Sequence, residues 1–70
     1  MRVDRDQALR IARDDALTVY RDLDTYDVSC HMVGESWQID YEPKGGARGG
    51  GPHYVVSGDS GEILSKRYEQ

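Results

Sequence analysis

The chain has 70 residues, nine Lys+Arg against thirteen Asp+Glu, a formal net charge of −4 and a single cysteine. A chain of this length makes one domain, residues 1–70, which buries about 60% of the surface its unfolded form exposes and has little room for an enclosed cleft. Arginines and aspartates are interspersed rather than grouped, so there is no contiguous basic face for a phosphate backbone and the composition argues against nucleic acid as a partner.

From Asp4 to about Leu23 the pattern is that of one amphipathic helix. At about 100° per residue, Ala8, Leu9, Ala12, Ala16, Val19, Tyr20 and Leu23 share one third of the wheel. Asp4 is placed as N-cap with Gln7 three residues on, an Asp version of the capping box, and Val3 can staple against Ala8. Ile11 and Leu17 lie off this stripe and either widen the buried face or remain for a partner. Asp24-Thr25-Tyr26-Asp27 brings turn formers. Val28 to Val33 then alternates, with Val28, Cys30 and Met32 on one face, and Gly34-Glu35-Ser36 makes a short turn.

The most strongly patterned stretch is Trp37 to Tyr68. Trp37, Ile39 and Tyr41 alternate with Gln38, Asp40 and Glu42, the two-residue period of a strand with one buried face. Trp37, the largest apolar side chain, is expected at the centre of the core. A glycine-rich connection from Lys44 to Pro52 leads to the strand His53–Ser57. The turn Gly58-Asp59-Ser60-Gly61 leads to a last strand, Glu62–Tyr68, and is too short for a parallel crossover, so this pair is antiparallel. The expected fold class is α+β: one N-terminal helix packed on a three- to four-stranded antiparallel sheet, the simplest two-layer solution for this pattern.

No catalytic or metal signature sits on these elements. The glycine connection lacks the Gly-Lys-Ser/Thr ending and following helix of a phosphate-binding loop. Cys30 and His31 are adjacent, so on a strand they point to opposite faces and cannot readily share a metal. A pairing of Cys30 with His53 is left open. No metal, no cofactor and no catalytic residue is expected. A lone thiol suits a reducing compartment. Met1-Arg2-Val3-Asp4-Arg5-Asp6 has no apolar signal-peptide run, and no stretch reaches bilayer length, so the expected location is cytoplasmic without a membrane partner.

Trp37-x-Ile39, Gly49-Gly50-Gly51 and Tyr54-Val55-Val56-Ser57-x-x-Ser60-Gly61-Glu62-Ile63-Leu64, with the opening Ala8-Leu9-x-Ile11-Ala12, resemble two related groups. These are the PepSY-like domains of protease propeptides and the small bacterial immunity proteins of the nuclear-transport-factor-like, or cystatin-like, fold class. Ser57 and Ser60 stand where Asp and Thr are common, and either hydroxyl can bond local backbone. The resemblance implies a non-enzymatic protein-binding or inhibitory module with a toxin or protease domain as partner. The alternatives are a self-associating regulatory module, forming a weak homodimer, and a small-molecule site between helix and sheet. The loop and outer sheet face offer Lys44, Arg48, Asp40, Glu42 and His53 as candidate contact residues.

Overall fold

The computed structural model describes residues 3–21, 23–46 and 51–68. A helix, α1 (Arg5–Ala16), is followed by strands β1 (Tyr26–Val33), β2 (Ser36–Pro43), β3 (Pro52–Ser57) and β4 (Ile63–Tyr68). The strands form one sheet in the order β1-β2-β3-β4, each antiparallel to its neighbour. The α+β class is as the patterning predicts, with the fourth strand present. No helix among the described residues is long and apolar enough to cross a membrane.

The helix starts where its chemistry says it should. Gln7 N–H donates to Asp4 Oδ1 at 2.8 Å, and Asp4 N–H donates to Gln7 Oε1 at 3.0 Å, closing the reciprocal capping box. These bonds satisfy donors that would otherwise be orphaned at the first turn. Val3 is buried in the same cluster as Ala8, as a staple requires. Asp4→Ala is expected to cost about 1 kcal/mol of stability, measured by urea unfolding.

The helix stops earlier than its stripe predicts, at Ala16 rather than near Leu23. Thr18 Oγ1 donates to Asp15 O at 2.6 Å, and Thr18 N–H and Val19 N–H close tighter three-residue turns on Asp15 O and Ala16 O. A β-branched hydroxyl residue that bonds the preceding turn competes with helical pairing. Tyr20 and Leu23 still pack against the core, from a turn instead of a helix, which is why they continue the helical period. Val19 stays 55% exposed. Ile11 widens the buried face, with its Cδ1 only 3.0 Å from where a Cβ on Gly61 would stand. Leu17 remains exposed.

Ala8, Ala12 and Ala16 lie directly on the sheet with no exposed surface, facing Ile39, Tyr41, Tyr54 and Val56. Small side chains let the helix approach closely, so the aromatic rings of the sheet supply the volume. Trp37 is not the centre of this core. It is half-buried at the rim, and its Nε1–H donates to Val3 O at 2.9 Å. The indole needs a partner for its N–H, and the chain entering the helix provides it.

The turns use the expected residues. Gly34-Glu35 closes the β1–β2 hairpin between Val33 and Ser36, with Gly34 at φ 63° as a tight two-residue loop demands. In the β3–β4 turn Ser57 Oγ accepts from Asp59 N–H and Ser60 N–H, and Ser60 Oγ accepts from Glu62 N–H. Both serines thus bond local backbone, the role expected of them. Gly51 ends the glycine connection where a Cβ would stand 2.3 Å from Tyr41 O, so no larger residue fits without moving the β2 backbone. β3 and β4 slip by a bulge at Val55/Val56.

Candidate functional site

Because strand side chains alternate, register decides which residues meet. Tyr26, Val28, Cys30 and Met32 of β1 share the helix-covered face with Trp37, Ile39 and Tyr41 of β2 and with Pro52, Tyr54 and Val56 of β3. The opposite face is left open by the helix. On it one cross-strand row runs Ser29, Asp40, His53, Arg67 through all four strands, and the next runs His31, Gln38, Val55, Ser65.

Asp40 and His53 are brought into contact. His53 Nδ1 lies 2.7 Å from Asp40 Oδ1, with side chains 21% and 19% exposed, and Gln38 Nε2–H donates to Asp40 Oδ2 at 3.3 Å. An ionised carboxylate only accepts, so Nδ1 carries the proton in this contact and the ring is held with Nε2 turned away from Asp40. Around the pair lies an open depression of about 360 Å³, lined by Gln38, Asp40, His53, Val55, Ser65 and Arg67 among others. The residue directly opposite His53 on β4 is Arg67, a cation rather than a nucleophile.

The other candidates lie apart from this pair. Glu42 is exposed two residues along the same face, opposite Asp27 of β1. Lys44 is exposed beyond the end of β2, in a single 3-10 turn over Lys44–Gly46, and its N–H donates to Thr25 O at 2.9 Å. Arg48 lies outside the described residues. The Cys30–His53 pairing left open by the sequence is ruled out, since Cys30 stands opposite Ile39 on the covered face and His53 opposite Asp40 on the open one. Burial pushes the Cys30 thiol above its ordinary range, the reverse of an activated nucleophile. Among the described residues no cluster of His, Cys, Asp or Glu is arranged to hold a metal.

A second polar constellation, not anticipated from sequence, joins the helix to the sheet. Asp15 Oδ2 accepts from Tyr54 O–H at 2.9 Å and from Tyr68 O–H at 2.5 Å, while Oδ1 accepts from Lys66 Nζ at 3.3 Å. The hydrogen bond from the Tyr68 hydroxyl, followed by those from the Tyr54 hydroxyl and the Lys66 ammonium, holds the Asp15 carboxyl below its usual range against the opposing effect of burial. Burial, with Asp15 beside it, pushes the Tyr54 phenol far above its ordinary value. Tyr20 sits edge-on to Tyr26 and Tyr68, and Tyr68 edge-on to Tyr54. The only sequence signal for Asp15 is its place seven residues after Ala8 and three after Ala12, on the flank of the alanine stripe. With the Tyr54 and Tyr68 hydroxyls both committed to Asp15, this cluster fastens the helix to the sheet.

Comparison with known protein families, with characterised proteins and with solved structures finds no match to this chain.

Proposed function

We propose that the chain is a non-enzymatic protein-binding or inhibitory module whose contact surface is the open face of the sheet. The observation that carries this reading is the pre-ordered Asp40–His53 pair, held in a shallow depression that the helix leaves uncovered. A fixed imidazole flanked by a carboxylate, an amide and a guanidinium offers directional hydrogen bonds at little ordering cost, which suits recognition. Asp27 and Glu42 lie side by side on the same face, and with the net charge of −4 they favour a partner with a basic contact surface. The likeness of the β3–β4 ending to PepSY-like domains and small immunity proteins supports a toxin or protease domain as that partner, met in the cytoplasm. Such a module works by occupying a surface and needs no cofactor.

Affinity capture from the native host tests the reading, with wild type beside His53→Ala and Glu42→Lys, both checked for native circular dichroism. A protein retained by the wild type should bind either variant roughly tenfold more weakly or worse, equivalent to about 1.4 kcal/mol. Equal retention by all three folded baits would remove the open face as the contact surface.

A further inference from the structure

The two edges of the sheet are built differently. β4 carries Lys66 and Arg67 and slips by a bulge against β3, which are the usual devices that stop an edge from pairing. β1 has none of them. Its eight residues, Tyr-Asp-Val-Ser-Cys-His-Met-Val, contain no lysine, arginine, proline or glycine, and it runs against β2 without a register shift. Val33 and Ser36 close a two-residue hairpin, so the odd-numbered residues of β1 bond to β2 and the even-numbered ones turn their N–H and C=O outward. Tyr26 N–H fits this alternation, since it turns to Leu23 O. Val28, Cys30 and Met32 are left facing the edge.

We propose that β1 is a homodimer edge, pairing antiparallel with β1 of a second copy about a two-fold axis at Ser29. A strand pairing with its own copy must oppose outward-turned residues on the same face of the sheet. The Ser29-centred register does so: Val28 meets Cys30 of the second copy, Tyr26 meets Met32, and Asp27 meets His31. The first two pairs extend the apolar face. The third, made twice by symmetry, places an imidazole beside a carboxylate on the open face. That contact answers a fault in the monomer, where Asp27 stands directly opposite Glu42 and like charges so placed repel. Among the described residues neither carboxylate has a cation partner within the chain. The same pairing brings a second Val28, 43% exposed in one copy, alongside the depression of about 290 Å³ between α1 and β1 lined by Leu9, Arg13, Val28 and Tyr41. The eight-stranded sheet that results keeps both helices on one side and leaves the Asp40–His53 pair uncovered.

Sedimentation of the full chain from about 1 μM to about 1 mM should show the mass rising from 7.9 kDa toward twice that value. Val28→Lys should hold it at the monomer, Asp27→Lys should weaken the dimer at least tenfold, and the exchange Asp27→His with His31→Asp should restore it. In a Cys30→Ala background, Ser29→Cys places two thiols on the axis at a separation of about 4.5 Å between Cα atoms, within disulfide range. It should cross-link faster than Asp27→Cys or His31→Cys, each of which faces the other position. A wild type that stays monomeric at the highest concentration overturns the proposal. So does a dimer in which Ser29→Cys cross-links no faster than the two controls.

Discussion

Replacement of Tyr54 by alanine is expected to unfold the domain at 25 °C. Tyr54 is 1% exposed, packs against the alanine stripe from the middle of β3, and bonds Asp15 through its hydroxyl. Truncation of a buried aromatic costs about 3–5 kcal/mol, and a core of this size rarely supplies more than about 3–5 kcal/mol in all. The surrounding alanines carry only a methyl group, with no rotamer that could swing in to refill the space. Tyr54→Phe keeps the ring and gives up the bond to a charged acceptor, so it should cost about 1.5–3 kcal/mol and leave a folded protein. Trp37→Ala should be milder than Tyr54→Ala even though tryptophan is larger, because Trp37 sits half-exposed at the rim. Urea unfolding of the three variants gives the order directly, and a Trp37→Ala variant less stable than Tyr54→Ala would contradict this account of the core.

The second large effect falls on Asp15. Asp15→Ala leaves Tyr54 and Tyr68 without their acceptor and is expected to cost about 1.5–3 kcal/mol at neutral pH. The carboxyl is held below its ordinary range in the folded chain, first by Tyr68. A group so depressed binds fewer protons folded than unfolded, so its contribution is complete above the unfolded value near about 3.9 and is lost as pH falls through the lower folded value. Wild type should therefore lose stability to acid below about pH 4 more steeply than Asp15→Ala, whose acid limb lacks this component. Parallel limbs for the two proteins would show that Asp15 is not charged and bonded as described.

Much of the architecture was legible because its signals are local. Trp37, Ile39 and Tyr41 declare their face by alternation, and Asp4 with Gln7 declares the start of the helix within one turn. The end of the helix was not legible. Val19, Tyr20 and Leu23 keep a helical period, yet Tyr20 and Leu23 reach the core from a turn; periodicity reports which residues are buried and not the backbone that buries them. Of the site, Asp40 and His53 were each identifiable as polar residues on strands, but their contact depends on the β2–β3 register, which the glycine connection does not encode. Asp15 was hidden because an acidic helix residue reads as solvated until Tyr54 and Tyr68, far along the chain, are known to point at it. Lys44 stands out in the sequence only as a loop cation, and the structure sets it apart from the pair.

The sheet is a meander, each strand pairing only with the strand before or after it in sequence. Its order of assembly follows from that. Gly34-Glu35 and the Gly58–Glu62 turn close small loops, which cost little chain entropy and form early, whereas the connection between Pro43 and Pro52 closes a longer one. Two local hairpins can therefore exist before β2 meets β3, and joining them creates the row from Ser29 to Arg67. That joining also aligns Ile39 with Tyr54, completing the surface on which the three alanines of the helix come to rest. The Asp40–His53 pair accordingly forms only when the two halves of the sheet become one, so its formation reports the completion of the sheet.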